Sequence, residues 1–228
     1  MTSLLVVTAV AAERDAVLAG LGSLGAPLDE GVSPEPDKRV HVVVGGVGSA
    51  AAAAHTATTL ARANSSALVY DAVVDLGIGG AYPGRAVIGD TVIGTRSVAA
   101  DLGAESPAGF LTMADLGFGS DTLEADGDLL ARLAELMPAG VAGSILSVQT
   151  VTGTARRAAE LAEHHKDAVA EAMEGFGVAT AARLFHTAFV EVRTVSNLVG
   201  PRDRAAWRIE AAMEALTRAG HALATLVG

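Results

Sequence analysis

The sequence predicts an α/β domain on a central, largely parallel sheet, and three observations predict it. Short β-branched apolar runs alternate with helix-patterned segments along the whole chain. Hydrophobic residues make up 50% of the 228 positions, enough for a sizeable core. No linker, internal repeat or low-complexity tail divides the chain, so a single domain over residues 1–228 is expected.

Each element has its own justification. Leu4–Thr8 is apolar throughout and reads as the first strand. No Lys or Arg precedes it and Glu13-Arg14 follows, which fits a buried strand better than a secretion signal. Ala16, Val17 and Leu21 give a short helix from Glu13 to Leu21. A Pro-rich loop at 31–37 leads to a second strand, His41–Val44. Gly45-Gly46-Val47-Gly48 then turns into an Ala-rich helix from Ala50 to Ala63, with Ser49 as its cap. The third strand, Ala72–Leu76, ends in Gly77-Ile78-Gly79-Gly80. Val87–Thr95 reads as a strand interrupted at Gly89-Asp90 and Gly94. Residues 101–126, rich in Gly, Ser and Asp, read as a long loop, which in a compact domain is usually functional or disordered. A helix at Leu129–Met137, a strand at Ala142–Val148 and a helix at Thr154–Glu163 follow. Met173-Glu174-Gly175-Phe176 opens another helix, and Phe189–Val195 is a buried strand ending in Ser196-Asn197. Pro201 fits a helix start, and Ala206, Ile209, Met213, Leu216, Gly220, Leu223 and Val227 form one apolar face of a C-terminal helix.

Composition excludes several functions. A net charge of −10 disfavours nucleic acid and anionic lipid surfaces as partners. No apolar run reaches the ~18 residues of a membrane span. With no Cys there is no thiolate chemistry or disulfide framework, which a reducing cytoplasm allows. The histidines are scattered, His164-His165 reads as surface, and no metal site is expected.

The candidate residues each carry two readings. Gly46-Val47-Gly48-Ser49-Ala50-Ala51 matches a dinucleotide-binding turn, but Asp71 precedes the strand at whose end the acidic partner belongs. A tight strand-to-helix turn packed on the sheet explains it better, and a nicotinamide-dependent oxidoreductase or nucleotide-binding module stays as a remote alternative. Glu13 is either a first-turn Glu favoured by the helix dipole or a base at a strand's carboxyl end. Glu174, between Met173 and a glycine, has no Lys at i+4 and suits a diol. Arg193 shares a strand face with Glu191, so an ion pair competes with a role in a site. Glu174, Arg193 and Asn197 offer a carboxylate, a cation and an amide to one crevice.

Together these residues resemble the nucleosidases of the purine nucleoside phosphorylase superfamily. The resemblance rests on Ala11-Ala12-Glu13, Gly46-Val47-Gly48, Gly77-Ile78-Gly79-Gly80, Ile88-Gly89-Asp90, Met173-Glu174-Gly175 and Val192-Arg193-Thr194-Val195-Ser196. The segment Ser196–Trp207 and Gly79-Gly80-Ala81-Tyr82-Pro83 resemble the futalosine hydrolase branch. The resemblance implies a three-layer phosphorylase-like fold with a mixed sheet, a homo-oligomer, a small nucleoside substrate, no cofactor, and N-glycosidic hydrolysis releasing hypoxanthine in menaquinone biosynthesis. Another purine nucleosidase, of the methylthioadenosine/S-adenosylhomocysteine type, or a phosphorylase is the alternative. It implies Glu13 as the water-activating base, Met173 and Glu174 as the ribose-binding pair, Arg193 near the nucleophile, and Gly80 and Thr152 along the sugar or base. Asn197 stands where the methylthioadenosine nucleosidases carry Asp. Hypoxanthine presents acceptors at O6 and N7, to which an amide NH₂ donates, so Asn197 favours a 6-oxopurine. Proton delivery to N7 then falls to water or a neighbour such as Asp203. Ile78 stands where phosphorolytic and adenine-specific relatives tend to place a hydroxyl, and Arg14 is the one cation near the first-strand and Gly46 turns, so water is the expected nucleophile. Futalosine's carboxylate tail requires a cation or backbone amides, with Arg85, Arg96, Arg202 and Arg204 as candidates.

Overall fold

The first strand, β1 (Leu4–Thr8), sets the architecture because its side chains alternate between two cores. Leu4 and Val6 pack with Val17 of α1 (Ala11–Leu21) and with Leu216, Ala219 and Leu223 of α7 (Ile209–Val227). Leu5 and Val7 pack with Ala52 and Leu60 of α2 (Ser49–Ser65) and with Val178 and Ala182 of α6 (Gly175–Leu184). The result is helix, sheet, helix: three layers. The computed structural model describes residues 3–29, 32, 34 and 37–228. The Pro-rich loop expected at 31–37 falls mostly outside the described residues.

The sheet among the described residues has nine strands and is mixed. β1 lies between β3 (Val40–Val44) and β4 (Ala72–Ala81), parallel to both, with β2 (Gly25–Pro27) outside β3. β11 (Ala188–Leu198) runs parallel to β4, and β5 (Thr91–Ala99) antiparallel to β11. β9 (Val141–Ser147) and β10 (Ala168–Ala172) follow in parallel, and β8 (Thr122–Glu124) adds to β5. β10 then pairs antiparallel with β4, closing β4, β11, β5, β9 and β10 into a ring. The ring gathers several strand ends at one mouth.

The C-terminal helix has the expected face: Leu216 and Leu223 are fully buried, each stabilising by about 1.5–3 kcal/mol relative to exposure. It begins at Ile209 rather than near Pro201, because a 3-10 turn at Arg204–Ala206 intervenes and Ala206 is exposed. Other expectations are corrected in the same way. Gly77–Gly80 do not form a turn; they continue β4, where side chains from α1 and β11 and backbone from β10 occupy the space above Gly77 and Gly79. Val87–Asp90 precede β5 as a turn, with Gly89 at φ +90° and Asp90 accepting from Val87 N. Residues 101–126 are not a structureless loop. They hold a hairpin, β6 (Gly103–Ser106) and β7 (Gly109–Thr112), a helical turn α3 (Met113–Leu116), and β8. α4 (Gly127–Leu136) and α5 (Ala155–His164) match their expected positions, whereas β2 and β10 were not expected. Ser49 does not cap α2; its hydroxyl donates to Met173 O at 2.9 Å.

Candidate active site

The carboxyl end of β1 delivers Glu13. After Thr8 the chain turns at once into α1, and Glu13 folds back over the helix start. Its Oε2 accepts from Ala9 N at 2.9 Å and Val10 N at 3.2 Å, and its Oε1 from Ile78 N at 2.9 Å. Glu13 is 3% exposed, and burial raises its pKa against these three amides and the charge of Arg193. A base with a pKa moved towards neutrality suits proton abstraction from water.

The carboxyl half of β11 delivers Arg193, which is wholly buried. Its Nε donates to Glu191 Oε1 at 2.9 Å, and its Nη2 donates to Asp75 Oδ2 and lies 3.5 Å from Glu174 Oε2. Ser97 Oγ donates to the other Glu191 oxygen. The ion pair with Glu191 therefore exists, and so does the wider cluster. Nη1 is buried and makes no hydrogen bond within the chain. A Cβ built on Gly77 would stand 2.5 Å from Nη1 and 2.8 Å from Glu13 Oε1, so donor and acceptor flank one spot that only a glycine leaves open.

Glu174 precedes α6. Its Oε1 accepts from Gly48 N at 3.0 Å and its Oε2 from Met173 N at 3.2 Å. The Gly46 turn, with Gly46 at φ +85° and Gly48 at φ +89°, thus presents an amide to a protein carboxylate rather than to a phosphate. Met173 itself is half-buried.

Asn197 lies farther along β11, past a bulge between Val195 and Asn197, and pairs with Gly80. Ser196 Oγ donates to Asn197 Oδ1 at 2.8 Å, which orients the amide, and Nδ2 donates to Leu198 O at 3.0 Å. A Cβ on Gly80 would meet Nδ2 at 3.1 Å. Thr152 sits across β4 from Asn197: its N and Oγ1 donate to Glu171 at 2.8 and 2.6 Å, and Glu171 pairs with Gly80.

The structure thus brings Glu13 and Arg193 together over Gly77, with Glu174 beside Arg193, and sets Asn197 and Glu171 on either side of Gly80, three residues along the same strand and about 10 Å away, with Thr152 hydrogen-bonded to Glu171. A cleft of about 300 Å³ between Arg14, Val43, His55 and Arg62 contains none of these side chains.

A family model for the phosphorylase superfamily matches residues 35–228. The chain belongs to the phosphorylase superfamily. Among curated members it is 46% identical to the futalosine hydrolase of Streptomyces coelicolor, over 98% of this chain and 96% of that one. It is 44% identical to that of Acidothermus cellulolyticus, over 97% and 89%. The 5'-methylthioadenosine/S-adenosylhomocysteine nucleosidase of Neisseria meningitidis, solved with methylthio-immucillin-A, superposes with a TM-score of 0.81 at 21% identity, over 100% of this chain and 99% of that one. The futalosine hydrolase of Helicobacter pylori superposes at 0.78 with 19% identity, over 99% and 97%. The three-layer fold with its mixed sheet is therefore that of the superfamily.

Within this superfamily fold, sequence reasoning missed Asp75 and Glu171. Each carried a signal: a lone carboxylate inside an apolar run, Val73-Val74-Asp75-Leu76 and Ala168-Val169-Ala170-Glu171, has to find a partner once buried. Asp75 anchors Arg193. Glu171 accepts from Thr152 and, at 3.3 Å, from Tyr82 OH. Of the cations weighed for the substrate tail, Arg85 donates to the carbonyls of Ala162, His165 and Ala168, and Arg96 pairs with Asp167 and Glu124. Arg202 and Arg204 stack on Trp207, 5.6 and 5.9 Å from its ring centre. Asp203 is exposed and accepts from Ala205 N.

Proposed function

We propose that this chain hydrolyses the N-glycosidic bond of futalosine, releasing hypoxanthine, with water as nucleophile. The observation that carries the reading is the meeting of Glu13 and Arg193 Nη1 over Gly77, with Asn197 at Gly80 on the same strand. The likeness to two futalosine hydrolases over almost the whole chain supports the substrate.

In this reading Glu13 takes a proton from water as it attacks the anomeric carbon, a role that contributes on the order of 10²–10⁴ in rate. Arg193 Nη1 donates to the attacking oxygen. Glu174 keeps acceptor capacity beyond its two backbone donors and holds the ribose hydroxyls, with Met173 beside the sugar. The sugar passes through an oxocarbenium-like state, as in glycoside hydrolysis. Asn197 donates to the departing base as charge builds on it, and water supplies the N7 proton. Phosphate is disfavoured as nucleophile because Arg14 pairs with Asp15 and Asp29, at 2.9 and 3.5 Å. Arg202 and Arg204 are the cations left to meet the substrate's carboxylate. No helix among the described residues is long and apolar enough to cross a membrane, and a cytoplasmic homo-oligomer acting in menaquinone biosynthesis completes the proposal.

The test is a free-base assay on futalosine, inosine and methylthioadenosine, with and without phosphate. Futalosine should be cleaved fastest and phosphate should not matter. Glu13→Gln should still bind substrate while losing at least 10²-fold in kcat. A phosphate requirement, or full activity in that variant, defeats the mechanism.

A further inference from the structure

We propose that Glu191 is a positioning residue: it fixes Arg193 against the helix start that carries Glu174, and touches neither water nor substrate. The inference deepens the functional proposal above and rests on it. It starts from register. Glu191 and Arg193 stand two apart on β11 and pair with Asp75 and Gly77 of β4, so all four share one face of the sheet. Phe189 of the same strand and face packs in the core that includes α2 and α6. Glu191 is fully buried there. One of its oxygens accepts from Arg193 Nε at 2.9 Å and the other from Ser97 Oγ of β5. The carboxylate also lies directly beneath Gly175, the first residue of α6: a Cβ built on Gly175 would overlap its carbon and both oxygens. Gly175 is helical and not among the glycines with positive φ, so the carboxylate, not the backbone conformation, excludes a side chain there. An anion is also favoured against the first turn of a helix.

Stability does not call for this carboxylate. Asp75 already gives Arg193 a buried counter-charge, and Glu174 Oε2 lies 3.5 Å from Nη2. A further buried carboxylate adds a desolvation cost that attraction seldom offsets. What Glu191 adds is geometry. A guanidinium held at Nη2 alone can pivot about that contact. Held also at Nε its plane is fixed, and Nη1 is left over Gly77, facing Glu13, without a hydrogen-bond partner among the described residues. The same carboxylate bears on Gly175, the residue after Glu174. It therefore sets the cation at the attacking water in relation to the carboxylate at the sugar.

The test separates position from stability. Glu191→Gln keeps the shape, an acceptor for Arg193 Nε and a partner for Ser97 Oγ, but removes the charge that grips the guanidinium. Its kcat should fall by about 10- to 100-fold, since an error near 1 Å at a catalytic group costs up to about that much, while KM changes by less than about threefold. Hypoxanthine affinity should also change by less than about threefold, because the base end lies about 10 Å away. The urea midpoint should stay at or above that of wild type, since Arg193 keeps Asp75 and one crowded charge is gone. A kcat within about twofold of wild type, or a loss of kcat accompanied by a lowered midpoint, overturns the proposal. Gly175→Ala is the second arm. It should lower kcat at least about tenfold in the wild-type background and less than about twofold in Glu191→Ala, where the obstructing carboxylate is absent. Equal losses in both backgrounds would show that Gly175 acts independently of Glu191 and would refute the coupling. If Glu191→Gln fails to fold, Ser97→Ala replaces it: freeing one oxygen of Glu191 should lower kcat by about threefold or more at unchanged KM, and full activity refutes the role of Glu191. All ratios are taken on whichever nucleoside the wild type cleaves in the free-base assay. A failure of futalosine as substrate then counts against the proposed function alone, whereas a wild type that cleaves none of the nucleosides defeats both.

Discussion

A methyl group at position 77 would stand 2.5 Å from Arg193 Nη1 and 2.8 Å from Glu13 Oε1, closer than ordinary contact to two groups that are fully or almost fully buried. Arg193 has nowhere to retreat, since Asp75 and Glu191 hold its other nitrogens. Gly77→Ala is therefore expected to displace Glu13 and to occupy the space in which water would be activated. Its kcat should fall by at least 10²-fold, because an error near 1 Å in a catalytic group already costs about that much. Hypoxanthine affinity should change by less than about threefold, because the base end lies three residues away, about 10 Å along β4. A variant with near-normal kcat would show that the spot above Gly77 plays no part in catalysis.

The elements differ in how legible they were. The apolar run of β1 and the patterns of α2, α4 and α5 placed these elements within a few residues, whereas for α7 the apolar face was legible but the start near Pro201 was not. The segment 101–126 did not show its hairpin because β6 and β7 are only four residues long and hold no fully buried residue, too little to carry an alternating pattern. β4 was cut short at Leu76 because glycine usually ends a strand, whereas here Arg193, Glu13 and the Glu171 carbonyl fill the space that side chains would take. At the site, Glu13, Glu174 and Asn197 could be named from family-like motifs, but Asp75 and Glu171 needed three-dimensional pairing to acquire partners. One connector offers a direct probe. Between β11 and α7, Arg202 N donates to Gly153 O at 3.3 Å, and Arg202 and Arg204 stack on Trp207, the single tryptophan of the chain. This segment reaches the residue after Thr152. A base seated between Thr152 and Asn197 should disturb that contact, so titration with hypoxanthine should change Trp207 emission saturably. Emission that stays constant up to millimolar hypoxanthine would mean that the base binds away from this connector.

On the scale of the whole molecule, the same cluster ties four parts of the chain through one cation. Glu13 comes from α1, Asp75 from β4, Glu191 and Arg193 from β11, and Glu174 from the start of α6. One guanidinium cannot neutralise four carboxylates in a dry interior. Burial accordingly raises the pKa of Glu13, Asp75 and Glu191, and of Glu171 at the base end, even though Arg193 pulls the first three down. The sign follows from linkage. Each of these groups binds its proton more tightly folded than unfolded, so the folded state holds more protons above the ordinary carboxylate range of about 4. Stability is then greatest below the raised pKa values and falls as pH rises through them. His165, whose pKa burial lowers, acts in the opposite direction over the window below about 6.5, as one half-buried group against four. The lowered pKa of Asp167 belongs to a part-exposed pair with Arg96 and acts only at the acid end. The urea midpoint is therefore expected to be higher at pH 5.5 than at pH 8. Because the cluster spans both helical layers, circular dichroism and Trp207 fluorescence should report one coincident transition. Arg193→Met should cost about 3–5 kcal/mol, the range for a broken buried ion pair, and should steepen the loss of stability with pH, since the carboxylates then lack their cation. A midpoint that stays flat or rises from pH 5.5 to 8 would mean instead that Arg193 keeps the whole cluster ionised.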